Sequence, residues 1–552
     1  MKHDALIHLW NFIRACVRWA IRIISRHSFL LVAFIFSHFL VLPSSAQQQV
    51  DMSHIDAAMR KLSMATVLTN LYYVDSVSID RQVEDAINGI LSKLDPHSQY
   101  SNAKDTKRMN ESLEGSFEGI GVQFNILEDT LIVIQPVSKG PSEKVGILAG
   151  DRIVSVNDTA IAGVKMSREE IMSRLRGPKG TKVRLGVVRD GVRGISNFIV
   201  TRDKIPVSTL DAAYMVTPEI GLIRFSSFGQ TTLEEVMNAL DRLKAQGMTK
   251  LIVDLQQNGG GLLGAAADIT SQFIPKGDTI VYTRGRNVPA QVFISNGGRG
   301  WQEGKVAVLI DEYSASAAEI FTGAIQDHDR GIVIGRRSFG KGLVQRPIEL
   351  PDGSMIRLTV AHYYTPSGRS IQKPYTKGDK DSYSHDLINR YNNGELLHED
   401  SIHFPDSLRY KTRKLGRTVF GGGGIMPDYF IPLDTTRYTR FYRELSAKGL
   451  VINANLRHMD KNRKRLTKQW PDFNQFKAQY ETPDDVIERI FEEGEKQKIT
   501  PKDDEERENT IPQLKLMLKA LTARDLWDMS EYFAIIYENE PIVLKAVELL
   551  EH

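Results

Sequence analysis

The stretch KVAVLIDEYSASAAEIFTGAIQD, residues 305–327, decides the fold. Lys305 is followed by five consecutive apolar residues, the texture of a strand buried on both faces. Small residues then surround two serines, Ser314 and Ser316, and the apolar residues that follow fall at helical spacing. Strand, tight turn and helix make one βα unit. KLIVDL, QQNGGG and LLGAAADITSQFI repeat the plan over residues 250–274. Two units of one kind predict a layered α/β core.

Working outward, the core is expected over residues 204–434, with a polar insertion at about 373–420 that ends in the glycine run Gly421–Gly424. Residues 113–203 read as short strands and one helical stretch, SREEIMSRLRG, punctuated by Gly-Asp, Asn-Asp and Gly-Pro turns. That is the size of a small independent module. Helical regions are expected on either side, at 47–112 and at 435–552. Residues 1–46 differ from everything after them. Lys2, Arg14, Arg18, Arg22 and Arg26 precede the uncharged run FLLVAFIFSHFLVL, residues 29–42, and then PSSA. This is the layout of a secretory signal cleaved near Ala46, because the run is shorter than the ~20 residues that span a bilayer. Export to the periplasm is the expectation, and a retained membrane anchor is the alternative.

Loss of that leader removes five basic residues and one acidic residue, taking the formal charge from +3 to −1. A nearly neutral chain argues against nucleic acid as a partner. The one cysteine, Cys16, leaves with the leader, so the mature chain has no thiol nucleophile and no disulfide.

A serine nucleophile needs exposure, a base and donors for the oxyanion. A strand that ends in small residues before a helix supplies the exposure, and the helix N-terminus supplies backbone N–H groups. The stretch 311–320 lacks the G-x-S-x-G elbow pattern, so both serines stay eligible, and so does a purely structural turn. Histidines make poor bases here: His362 lies in the apolar TVAHYYT and His97 in the turn-like LDPHSQY. A lysine can replace histidine where burial leaves it partly neutral. Lys341 in SFGKGLVQ lies between two glycines and next to apolar strands, and Gln345, four residues on, shares its face. Gln345 could hold the amine without adding a carboxylate. Gly259, Gly260 and Gly261 follow a strand and would let a carbonyl approach backbone N–H groups. Two decoys fail. Ser338-Phe-Gly-Lys341 spells S-x-x-K but carries glycine where that motif needs a helix, and the histidines of HEDSIH are five apart, not four.

Taken together, the motifs fit one family. LDPHSQY, GSFEGIGVQF, PSEKVGILAGDRIVSVN, RLRGPKGTKVRL, DLQQNGGGLL, SASAAEIFTGAIQD, SFGKGLVQ, YYTPSGRSIQ and GIMPD occur in its order. The chain resembles the carboxyl-terminal processing peptidases, or tail-specific proteases, Ser-Lys hydrolases with an inserted PDZ domain. The resemblance covers roughly residues 51–432 and implies a ClpP/crotonase-like core with helical N- and C-terminal regions. It selects Ser316 as nucleophile by its spacing to Glu319 and Lys341, Lys341 as base and Gln345 as the residue that positions it. It also implies an oxyanion hole from Ala317 with Gly260 or Gly261. Gln256 stands where the family commonly has arginine, and Ala318 where it commonly has serine. The turn Gly119-Ile120-Gly121-Val122 is expected to bind a peptide's terminal carboxylate while the peptide adds as a strand beside it. Substrates are then proteins with accessible, apolar C-termini, with no cofactor and no metal. For residues 435–552 two readings stay open: a homodimer through the C-terminal helices, or a cap on the same chain. A non-catalytic PDZ scaffold is the rival reading of the whole.

Overall fold

The structure is a computed structural model that describes residues 52–552. The expected leader, 1–46, lies outside the described residues. The chain divides into two compact units at Gln82 and Val83. In the first, the helix Met52–Tyr72 buries none of its residues, and Met59, Leu62, Val67 and Leu71 are exposed on it.

The second unit is built on the predicted α/β core. Its main sheet runs in the order Leu210–Met215, Ile220–Phe225, Lys250–Asp254, Lys305–Ile310, Ile332–Gly335, Tyr429–Phe430. The first pair is antiparallel and every later pair is parallel. Ile220–Phe225 is buried along its whole length, as a parallel strand covered on both faces must be. One face packs on the helices Thr232–Ala245, Leu263–Thr270 and Ala317–Asp327. The other is covered by the helix Pro541–Glu551, which buries Ile542, Val543, Ala546 and Leu550 against Leu222, Ile252, Leu309 and Ile334. This helix caps its own chain. A second sheet pairs Met355–Tyr364 with Gln99–Ser101, Thr279–Arg284 and Leu343–Glu349. The helix Ala317–Asp327, buried at every residue, touches both Ile332–Gly335 of the main sheet and Thr279–Arg284 of the second.

The module expected at 113–203 is an antiparallel sheet with its own core. Strand Val122–Leu127 forms one edge, pairing among the described residues only with Thr130–Pro136, and the helix Arg168–Leu175 buries Ile171 and Leu175 in that core. The chain enters and leaves the module through an antiparallel ribbon, Ser116–Gly119 with Asp203–Pro206. A further contact comes from the C-terminal helices. Leu456, on the helix Leu450–Gln469, packs against Leu127 and Ile132 of the module, and Arg152–Asp460 and Arg457–Glu128 ion pairs flank it. The polar insertion is ordered: the short helices Lys380–Ser384 and Asp386–Asn392 carry the buried Tyr383 and Arg390.

Candidate active site

Ser316 sits at the N-cap of the helix Ala317–Asp327 with φ 58° and ψ −114°. Few non-glycine residues adopt that region, and holding one there costs on the order of 1–3 kcal/mol, which the surroundings must supply. Glu319 supplies much of it. Its carboxylate is fully buried and accepts four hydrogen bonds: Ser316 N–H and Lys341 N–H on Oε2, each at 2.8 Å, and Gly340 N–H (2.8 Å) and Ser338 Oγ (2.5 Å) on Oε1. Burial pushes this carboxyl up while those hydrogen bonds pull it back. Tyr363, also buried, shares its one hydroxyl proton between the carbonyl oxygens of Ser316 (3.1 Å) and Lys341. One carboxylate and one phenol therefore pin both backbones together. The sequence carried a sign of the first, because S-x-x-E is the spacing of a helix capping box, but no sign of Tyr363. The structure thus makes a strand-to-helix elbow without the G-x-S-x-G pattern.

The two serines separate by environment. Ser314 is completely buried; its hydroxyl donates to Leu255 O at 2.8 Å and accepts from Asp311 N–H at 3.0 Å. Ser316 is partly exposed. Behind it the turn 258–261 approaches so closely that a Cβ on Gly260 would lie 2.7 Å from Ala315 O and 2.8 Å from Ser316 Cβ. Ala315 N–H donates to Asn258 O at 2.9 Å, and Asn258 Oδ1 in turn takes Gly260 N–H at 2.9 Å. Gly261 differs from Gly260. It is exposed, and among the described residues neither its N–H nor that of Ala317 finds an acceptor.

Lys341 is partly buried and its side chain makes no ion pair or hydrogen bond among the described residues. Burial lowers its pKa, helped by the positive charge of Arg357 and opposed by Glu319 and Asp95. No hydrogen bond joins its amine to Ser316 Oγ. Among the described residues no hydrogen bond joins Gln345 to the amine; its Nε2 donates to Leu343 O at 3.2 Å and Thr359 Oγ1 at 3.3 Å. Of the rejected bases, His97 bonds Tyr383 through Nε2 at 2.9 Å and burial pulls its pKa down to about 4. Ser338 of the S-x-x-K decoy is consumed by Glu319 and Ile425 N–H, and HEDSIH holds only a three-residue 3-10 turn.

In the module, Gly121 has φ +71°, and the carbonyls of Ile120 and Gly121 turn inward to accept from Ser142 and Val137 N–H, each at 3.0 Å. The amides of Ile120 and Gly121 are left without acceptors among the described residues. They lie at the head of the open edge strand that begins at Val122.

A parallel α/β core with an elbow serine and a sheet module inserted ahead of it defines the class: a serine-type peptidase carrying a peptide-binding domain. Residues 219–381 match Peptidase family S41, 119–194 match the PDZ domain, and 441–528 match a family of unknown function. The chain is 39% identical over 305 residues to the carboxy-terminal-processing protease of Bartonella bacilliformis, covering 54% of this chain and 69% of that one. It is 34% identical over 359 residues to the carboxy-terminal processing protease CtpA of Bacillus subtilis, covering 64% and 76%. The solved photosystem II D1 C-terminal processing protease aligns at 27% identity over 57% of this chain and 85% of that one, with a TM-score of 0.31. The chain belongs to the carboxy-terminal processing protease family.

Proposed function

We propose that the protein is an exported endopeptidase that captures protein C-termini and cleaves with a Ser316–Lys341 dyad. The observation that carries the reading is the shared clamp: Glu319 and Tyr363 hold a strained, partly exposed serine and a partly buried lysine, without a counter-ion among the described residues, in one frame. A substrate's terminal carboxylate is taken by the free amides of Ile120 and Gly121, and the peptide extends along the edge strand Val122–Leu127 as an added strand. Lys341, neutral through desolvation, removes the Ser316 proton as Oγ attacks the scissile carbonyl. The oxyanion is received by the N–H groups of Ala317 and Gly261, Gly260 having given its own to Asn258. The lysine then protonates the leaving amine, and water releases the acyl group by the reverse sequence. Export rests on the leader at 1–46, and the periplasm is the compartment it supports.

The test is cleavage of a denatured, dye-labelled protein with an apolar C-terminus. Ser316→Ala and Lys341→Ala should each abolish it, while Ser314→Ala should leave chemistry in place. Wild-type rates in Ser316→Ala would sink the assignment.

A further inference from the structure

The motif LDPHSQY, residues 94–100, takes no part in the chemistry above, yet its aspartate is buried next to the dyad. Asp95 Oδ1 accepts from His97 N–H (2.9 Å), Ser98 N–H (3.0 Å) and Thr359 Oγ1 (2.8 Å), and Oδ2 accepts from Ser98 Oγ at 2.5 Å. Burial alone would raise this carboxyl, but the bonds from Ser98, Thr359 and the amides hold it below the usual range, so it is an anion. An anion only accepts. The single hydroxyl proton of Thr359 is therefore committed to Asp95, and Thr359 Oγ1 can only accept from Gln345. Gln345 obliges with Nε2, and the carbonyl of Leu343 stands at the same end of its amide. The orientation of that amide is thus dictated, and its Oε1 is left without a donor among the described residues.

The strand register makes this possible. Leu343–Glu349 pairs with Met355–Tyr364 through Leu343↔His362 and Val344↔Ala361, then slips so that Gln345 faces Thr359. Without that bulge Gln345 would stand opposite Val360, and Thr359 would lie on the other face of the sheet from it.

We infer that Asp95 and Thr359 are positioning residues, which lock the Gln345 amide so that its carbonyl oxygen is offered to the amine of Lys341. The inference rests on the reading of Lys341 as base. An amine that gives one N–H to a fixed oxygen has its lone pair aimed, here at Ser316. A neutral amide does this without the pKa increase that a touching carboxylate would bring, and Asp95 is kept two side chains away. The charged groups around the amine are Arg357 on the strand Met355–Tyr364, Glu319 on the helix Ala317–Asp327 and Asp95 on the turn; His97 beside them stays neutral at pH 7.

The experiment compares the full-length wild type with Thr359→Val, Thr359→Ser and Asp95→Asn. It measures kcat and KM on the labelled protein from pH 6 to 10, and the rate at which a fluorophosphonate probe labels Ser316. Thr359→Val, nearly isosteric, is expected to lower kcat by about tenfold to a hundredfold with KM within about twofold, as a misaimed base does. Its acid limb should move to lower pH, because an amide free to turn its NH2 towards the ammonium disfavours the charged form. Thr359→Ser, which keeps the hydroxyl, should recover most of the rate, and Asp95→Asn should lose rate like Thr359→Val. A folded Thr359→Val with wild-type kcat and pH profile overturns the inference. So does a loss that Thr359→Ser fails to rescue and that leaves the acid limb in place, since that describes a structural residue. Activity surviving in Ser316→Ala, run alongside, overturns the dyad itself and is distinguishable from both.

Discussion

Glu319 accepts the backbone N–H of Lys341 at 2.8 Å on the same carboxylate oxygen that takes Ser316 N–H. A glutamine in its place would turn NH2 towards donors on one side. Glu319→Gln is expected to leave at least one buried donor unsatisfied and to destabilise the protein by roughly 2–4 kcal/mol. Thermal melting measures it, and cleavage of the labelled protein should fall as well; an unchanged melting temperature would refute the clamp.

With Lys341 as the proposed base, the pH dependence follows from its burial. A base must be neutral, so kcat/KM should rise with pH and level off below the model-peptide lysine value of about 10.4, because burial lowers its pKa. Stability follows the same sign. Between the lowered folded pKa and the unfolded one, the unfolded chain binds more protons, so stability rises with pH across that window. Lys341→Met, which buries no charge, should remove that rise, melt no lower than the wild type at pH 7 and cut kcat by more than about a thousandfold. A Lys341→Met variant that melts well below the wild type would contradict the desolvation account.

Two glycines on the same loop and helix should behave oppositely. Gly260→Ala puts a Cβ into Ala315 O and Ser316 Cβ at φ +99°, and is expected to cost about 1–3 kcal/mol and most activity. Gly264→Ala meets nothing within 4 Å in the helix Leu263–Thr270 and should raise stability by about 0.5–1 kcal/mol. Chemical denaturation of both variants separates close approach from mere flexibility.

The contact of Leu456 with the PDZ domain should matter more than the charges around it. Leu456→Ala is expected to cost about 2–3 kcal/mol at that contact and to speed proteolytic nicking of the ribbon 116–119 and 203–206. Lys464→Ala, whose pairing with Asp190 is largely exposed on both sides, should change nothing measurable. Equal protease sensitivity of the two variants would refute this ordering.

Much of this was legible from the residues. The apolar run ending in small residues gave the βα unit at 305–327, and turn punctuation gave the module. Other features were not. Ser316 adopts its strained conformation because Glu319, Gly340, Lys341 and Tyr363 surround it, and those come from three separate segments. The slip at Val344 and Gln345 has no pattern in either strand, since a bulge is a property of the pair. LDPHSQY reads as a turn, and it is one, but what its aspartate touches lies more than 260 residues away at Thr359. The cap by Pro541–Glu551 was one of two open readings, because an amphipathic helix does not say which sheet it covers.

That cap has a consequence for the order in which the molecule is made. Leu222, Ile252, Leu309 and Ile334 are all synthesised long before Ile542 and Val543 arrive to cover them. Until then the main sheet has one finished face and one apolar face open to water, a species prone to aggregation. The elbow at Ser316 follows a strand of that sheet, so its scaffold stays short of its final form until the helix docks. Docking of this late helix is thus the step that closes the core on which the elbow is built.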